Sequence, residues 1–215
     1  MALADIRNRV EQQLGDTSNL IWSTGWVDEG IRQALHRWSE RIPQHAITTL
    51  TAASDTRELD LSTISGLLSV VRVWTPYTAA NPEEPPNWRP FEHWYDPQLL
   101  YLPNYEIPSG DVVRIFYTLG QTVEDLDSAT ATTIPDHELS TLIDGAAGFA
   151  AIERGLDITE QVTLGRATSK EIRDWGQAKI DRFERKLDQL VKAKALLSQS
   201  RVRLPRQDRH DTEWS

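Results

Sequence analysis

The chain of 215 residues contains no cysteine, so it holds neither a disulfide bond nor a thiolate metal ligand. It also lacks an apolar run long enough to cross a bilayer, and its first residues mix charge into every turn. We therefore expect neither a membrane span nor a signal peptide. A surplus of positive charge is missing as well, because the net charge is -9. Proteins that bind nucleic acid regardless of sequence carry a basic surface, so this class is disfavoured.

Catalytic motifs are absent too. The chain has no nucleophile elbow, no phosphate-binding glycine loop and no His-Glu-x-x-His pattern. Glu92–His93 and His137–Glu138 are adjacent pairs, and neighbours in sequence do not share a face of a helix or strand, so neither forms an obvious metal site. A small hydrolase or metal-dependent enzyme that uses Glu92, His93 or His137 is the weakest interpretation. We expect no enzyme activity, no catalytic residue, no metal and no cofactor.

The cleanest pattern that is present predicts a long helix over residues 168–199. Its apolar residues follow one another at steps of three and four, with Lys194 among them, which places them on one stripe of the helix. This helix-packing seam consists of Ile180, Phe183, Leu187, Leu190 and Leu197. At 1.5 Å per residue the helix is about 45–50 Å long, which a single small domain does not easily cover. We expect the seam to pack on another helix, in its own subunit or in the next.

A second helix, predicted over residues 136–154, supplies a partner for the seam. It contains a run of very small residues, Gly-Ala-Ala-Gly, at positions 145–148. Glycine inside a helix costs about 0.5–1 kcal/mol relative to alanine, so two glycines within four residues indicate close approach by a neighbouring backbone. The alternative is a neutral pair of glycines in a tolerant helix.

The rest of the chain predicts two shorter helices and a β insertion. An amphipathic pattern over residues 3–14 is followed by a second one, which Ser23 or Thr24 can cap and Pro43 ends. From there on, short runs rich in β-branched residues predict strands. The predicted fold class is α+β, mainly α: a helical bundle with a long C-terminal helix and a small antiparallel β-sheet insertion. We expect one domain over 1–199, with helices in 2–43 and 136–199, a β insertion over 44–120, and an extended C-terminal tail over 200–215.

The stretch Pro76–Pro97 is dense in proline and aromatic side chains, and its prolines argue against a regular helix or a central strand. We expect an ordered loop, or an arm that orders on a partner. Its aromatic residues have three interpretations: a sugar-stacking surface, a contact surface for another protein, or a small core over the sheet. The last two are favoured, because evenly spaced tryptophans on a strand are absent. The candidate partner-contact residues are Trp88, Phe91, Trp94 and Tyr95.

The C-terminal tail is polar and rich in arginine. Arginine and tryptophan are favoured anchors of protein interfaces, and acidic residues among the arginines weaken a role in DNA binding. Disorder is the alternative, because chain termini often fray. The candidate contact residues of the tail are Arg201, Arg203, Arg206, Arg209 and Trp214.

The order of these elements resembles that of the head-to-tail connector proteins, or adaptors, of tailed bacteriophages. The resemblance lies in the arrangement over about residues 2–155, in which a short opening helix precedes a series of recognisable stretches. In chain order these stretches are VDEGIRQALHRWSERIP, LLSVVRVW, NWRPFEHW, IPSGDVVRIFYT and IPDHELSTLIDGAAGFAAIERG. The long helix and the arginine-rich tail are its less typical parts.

The resemblance implies a structural virion protein without catalytic residues. It implies a homo-oligomeric ring, commonly of twelve copies, between the portal and the tail, stopper or tail-terminator proteins, at the neck of a virion assembled in the host cytoplasm. Genomic double-stranded DNA would pass through this ring without specific binding. The acidic chain suits such a channel, because like charge disfavours phosphate binding. The C-terminal tail of the chain, residues 200–215, is then expected to dock on the portal or on a neighbouring subunit. The alternative function is a carbohydrate- or peptide-binding module that uses the Pro76–Pro97 loop.

Overall fold

The computed structural model describes residues 1–16, 22–80, 87–160 and 166–198, and only the backbone at 157–160, 166–169 and 196–198. The helices are α1 (Leu3–Leu14), α2 (Thr24–Arg41), α3 (Leu139–Glu160) and α4 (Arg166–Ser198). The strands are β1 (Gln44–Thr51), β2 (Glu58–Asp60), β3 (Leu67–Trp74), β4 (Trp88–Arg89), β5 (Glu92–Tyr95), β6 (Gln98–Tyr101) and β7 (Val112–Leu119). The predicted α+β class, its long C-terminal helix and its β insertion are confirmed.

The ends of the first two helices follow from local chemistry. Gly15 closes α1 in the left-handed conformation, with φ 74°, which glycine adopts without a steric penalty. Ser23 caps α2, because its hydroxyl accepts a hydrogen bond from the backbone N–H of Trp26 at 3.4 Å. Asp16 accepts a hydrogen bond from the backbone N–H of Trp22 at 2.8 Å. These contacts set where the chain enters α2.

The four helices form one body with α3 at its centre. α3 packs against α1, α2 and α4, and it is apolar on several sides. The connection between β7 and α3 belongs to this body, since Val123, Leu126 and Ile134 are buried in the same core. The acidic and threonine-rich connection is therefore a packed segment.

Glycines permit the close approach of these helices, as the Gly-Ala-Ala-Gly run predicts. A Cβ atom added at Gly148 would lie 2.9 Å from the carbonyl oxygen of Gly176, and one added at Gly145 would lie 2.9 Å from the ring of Phe183. On the other side of α3, a Cβ at Gly30 would lie 2.5 Å from the carbonyl oxygen of Ala146. The prediction of close backbone contact is confirmed, and the neutral alternative is wrong.

The β insertion contains two antiparallel sheets where the sequence indicated one. The first has the strand order β1-β7-β3-β4, and the second has the order β2-β6-β5. Their inner faces contribute to one core, in which Val73 and Ile115 from the first sheet join Leu59 and Leu100 from the second. Because side chains alternate across a strand, each sheet also has an outer face that points away from this core.

The Pro76–Pro97 stretch contains β4 and β5, so describing all of it as a loop was wrong. The prolines do not interrupt these strands, because β5 lies between Pro90 and Pro97 and forms the edge of the second sheet. Edge positions tolerate nearby proline, since one side of the strand needs no ladder hydrogen bonds.

Candidate interaction surfaces

The helix-packing seam of α4 lies against its own subunit. Phe183 and Leu187 are fully buried, while Ile180 and Leu190 are partly exposed. The Phe183 ring centroid is 6.3 Å from that of Trp38 on α2 and 6.3 Å from that of Phe149 on α3. The side chain of Leu197 lies outside the described residues.

The stretch of α4 around Phe183 is covered by α2 and α3 of the same copy, whereas coverage of the full length of the helix stays a prediction. The 22 residues of α3 span about 33 Å, which is shorter than the 33 residues of α4, and they run beside its middle, where Phe183 and Leu187 are buried without a neighbouring copy. Any contact of α4 with another protein must therefore use faces other than the one buried around Phe183.

Charged groups fasten α4 to α3 beside the seam. The buried carboxylate of Asp144 forms ion pairs with three basic side chains. Its oxygens lie 2.9 Å from Nζ of Lys186, 3.2 Å from Nζ of Lys179 and 3.4 Å from Nε of Arg182. Burial alone would raise the pKa of Asp144, but hydrogen bonds from Lys186 and Lys179 outweigh it and hold the pKa below its ordinary value. The sequence shows these charges on the faces of α4 and does not show that a buried carboxylate faces them.

Lys194 also pairs with a buried carboxylate of its own subunit. It stands in an otherwise apolar stripe because its ammonium group lies 3.0 Å from the buried carboxylate of Glu138, which directly precedes α3. A buried carboxylate needs such a partner, because an unpaired charge is costly to remove from water. On the α2 side, Arg41 lies 3.2 Å from Glu184, in a more exposed pair that contributes little.

The four aromatic residues of the predicted partner-contact loop do not form one surface. Trp88 lies on β4 in the first sheet, with its ring 5.4 Å from that of Phe116. Trp94 and Tyr95 lie on β5 in the second sheet, and Tyr95 is 64% exposed. Phe91 packs against the core between the sheets. The tertiary structure thus separates residues that are close in sequence.

The outer face of the first sheet combines arginine with aromatic side chains. We call it the cation–aromatic face, and its members are Ile47, Arg72, Trp74, Trp88, Arg114 and Phe116. Arg72 lies 5.3 Å from the ring centroid of Trp88, and Arg114 lies 5.5 Å from that of Phe116. A groove of about 510 Å³ runs over this face. An arginine set among β-branched residues in each of β3 and β7 is the sequence signal for it.

The outer face of the second sheet has the opposite charge. We call it the acid–aromatic face, and its members are Glu58, Asp60, Glu92, Trp94, Leu99 and Tyr101. Glu58 and Glu92 both stand opposite Tyr101, one on each side of β6. Trp94 stacks on Tyr101 with ring centroids 5.8 Å apart and is 44% exposed. No basic side chain belongs to this set of six described residues.

The residues of the enzyme interpretation are scattered. Glu92 is on the outer face of β5, whereas His93 points inward, and burial lowers the pKa of its imidazole. His137 lies beside Glu138, just before α3, with its Nε2 atom 3.6 Å from that carboxylate. Within the part of the chain that the structure describes, no three His, Cys, Asp or Glu side chains are grouped to hold a metal ion. The described structure thus does not bring Glu92, His93 and His137 together.

Two further expectations concern the rest of the chain. The tail residues Arg201, Arg203, Arg206, Arg209 and Trp214 lie outside the described residues. Among the helices that are described, none combines the length and the apolar character that crossing a membrane requires.

Comparison with known proteins identifies the family. Curated proteins include no match to the chain. Among solved structures, the "Neck of empty GTA particle computed with C6 symmetry" is 18% identical, with 69% of this chain and 77% of that chain covered and a TM-score of 0.32. The "Neck of native GTA particle computed with C12 symmetry" is also 18% identical, with 68% and 74% covered and a TM-score of 0.28.

The family model described as SU10 adaptor protein matches residues 1–205. The match spans all four helices and both sheets, and it confirms the resemblance to phage adaptors that the order of elements indicated. The chain belongs to the SU10 adaptor protein family.

Proposed function

We propose that this protein is a structural component of the neck of a tailed phage, where it forms the connector ring between the portal and the tail or stopper proteins. The observation that carries the proposal is the adaptor-family match over residues 1–205. The architecture supports it, because the features that distinguish the described part of the molecule are two sheet faces of opposite charge. Such faces suit contact between proteins.

The ring is proposed to contain twelve copies and to surround the channel for the genome. The net charge of -9 supports a passage that does not hold DNA, since like charge disfavours binding to phosphate. Each copy contributes one domain over residues 1–199, and the segment 200–215 serves as a docking tail for the portal or for the neighbouring subunit.

The test is the mass of the complex that the purified chain forms with its portal protein. We expect a single species with about twelve copies of the chain on each portal ring, measured by native mass spectrometry and imaged by electron microscopy. A chain that stays monomeric and does not bind the portal at micromolar concentration would contradict the proposed function.

Removal of the tail tests the docking role separately. A chain that ends before Arg201 should lose portal binding and keep the melting temperature of the intact chain, because the helical core lies N-terminal to this point. The matched control replaces Arg201, Arg203, Arg206 and Arg209 by lysine, which keeps the charge and loses the planar donor group. Unchanged portal binding by the shortened chain would rule out docking by the tail.

A further inference from the structure

The cation–aromatic face carries positive charge without a carboxylate to balance it. Arg72 and Arg114 stack on Trp88, Tyr77 and Phe116, at 4.8–5.5 Å from the ring centroids. Among the described residues, neither guanidinium forms an ion pair. A guanidinium that lies on an aromatic ring keeps its donor edges free for a carboxylate. In a chain of net charge -9, this basic surface is suited to contact with acidic groups.

The face is also apolar enough to be an interface. Three apolar residues that line its groove are exposed: Ile47 by 52%, Val71 by 43% and Trp88 by 42%. Exposed tryptophan and arginine together are typical of the anchors of protein contacts.

The acid–aromatic face has the complementary composition. Glu58 and Asp60 on β2 and Glu92 on β5 are exposed and form no ion pair with a described residue. Asp60 accepts hydrogen bonds from the backbone and side chain of Ser62, and these hold its pKa below the ordinary value, so it is ionised at neutral pH. Two strand spacings separate Glu58 from Glu92, about 10 Å. Tyr101 lies between them on β6, and Trp94, on β5, stacks on its ring.

The two faces point in different directions because both sheets cover the same core. Val73 and Ile115 reach that core from the first sheet, and Leu59 and Leu100 reach it from the second. The outer faces therefore point away from each other, and one copy does not join its own two faces. A second copy can present its acid–aromatic face to the cation–aromatic face of the first.

We propose that the cation–aromatic face of one copy binds the acid–aromatic face of the next, and that this contact between β insertions builds the ring. The proposal rests on the ring of the proposed function and assigns its subunit contact. Two different, complementary patches make a head-to-tail contact, which closes into a ring when the rotation between copies divides a full turn. A symmetric dimer formed through the cation–aromatic face, by contrast, would place Arg72 and Arg114 against the same arginines of the second copy.

Charge reversal tests the contact. The double variant Arg72→Glu/Arg114→Glu, and separately Glu58→Arg/Glu92→Arg, should raise the concentration for half-assembly at least about tenfold, because each places like charges opposite one another. An equimolar mixture of the two variants should assemble as alternating copies, and a chain with all four changes should assemble alone. The control is Arg9→Glu/Arg185→Glu, which lowers the net charge by the same amount as Arg72→Glu/Arg114→Glu, at exposed helical positions, and should leave assembly unchanged.

The readout is the mass of the assembly by analytical ultracentrifugation, measured where the wild-type chain forms its ring, alone or on the portal. Circular dichroism confirms folding, and recovery in the mixture excludes a misfolded variant as the cause of the loss. If the wild-type chain forms a ring and both reversed variants form it equally well, this assignment is wrong and the proposed ring stands. If the variants form the ring but lose the portal, the face belongs to that partner and the assignment is equally wrong. If the wild-type chain forms no ring even with the portal, the proposed function itself fails.

The absence of native cysteine provides a second test. One cysteine can be placed on each face. Thr49→Cys changes a β1 residue opposite Arg114 on the cation–aromatic face, and Leu99→Cys changes a β6 residue between Asp60 and Trp94 on the acid–aromatic face. The double variant should oxidise to a ladder of linked multimers, whereas the two single variants, mixed, should give only linked dimers. Linked dimers from one single variant alone would show a symmetric contact and overturn the proposal.

Discussion

Replacing Gly30 by alanine tests how closely α2 and α3 must approach. A Cβ at this position would lie 2.5 Å from the carbonyl oxygen of Ala146 and 3.1 Å from the Cβ atom of Ala150. Ordinary contacts begin near 3.4 Å, so the new methyl group is about 0.9 Å too close to a backbone atom. Backbone of a packed helix cannot rotate away as a flexible side chain can, so the two helices must separate.

Two opposing terms decide the size of the effect. Alanine is the better helix former by about 1 kcal/mol, which favours the variant. Overpacking a well-filled core costs about 1–3 kcal/mol and occasionally more, and here the clash also loosens the contact between α2 and α3 around Ile31 and Ile143. We expect the packing term to prevail and the free energy of unfolding to fall by about 1–3 kcal/mol.

Urea unfolding followed by circular dichroism measures this change. With an m-value of about 2 kcal/mol per molar, a loss of 2 kcal/mol lowers the midpoint by about 1 M. Gly25→Ala is the matched control in the same helix, because a Cβ there would meet only the hydroxyl of Ser23, at 3.8 Å. It should be neutral or stabilising. A Gly30→Ala variant that is as stable as Gly25→Ala would refute the close approach of the two helices.

Two further substitutions probe the seam and its charges. Asp144→Asn should destabilise the protein by about 1–3 kcal/mol at pH 7, since it leaves Lys179 and Lys186 without their carboxylate. Because the folded pKa of Asp144 is lowered, its contribution is present above the ordinary value of 3.8 and is lost as the pH falls through the lowered value. The difference between variant and wild type in urea unfolding should therefore shrink below pH 4, and equal stability at pH 7 would contradict this. Phe183→Ala should cost about 3–5 kcal/mol in thermal unfolding, because it empties a fully buried site. Leu156→Ala, at a side chain that is 53% exposed, should cost far less, and a similar loss for both would argue against the buried seam.

Some features of the candidate interfaces were visible in the sequence and others were not. The arginines of β3 and β7 stand out as charges among β-branched residues, but nothing in the spacing places Arg72 beside Trp88, which lies 16 positions further along the chain. The acid–aromatic face joins residues near 58, 92 and 100 through strand pairing. Register between strands depends on contacts distant in sequence, so no local pattern gives it.

The amino-acid sequence by itself determined the elements: the steps of three and four that make α4 amphipathic, the glycines that allow helices to approach, and the serine and proline that bound α2. These are local properties, because backbone geometry and side-chain period act over a few residues. Only the tertiary structure decided which partner covers each element. It placed the seam of α4 on its own α3, gave the buried Asp144 its lysines, and divided the insertion into two sheets with outer faces of opposite charge. Such choices depend on packing between distant segments, where shape and charge must match across a whole surface.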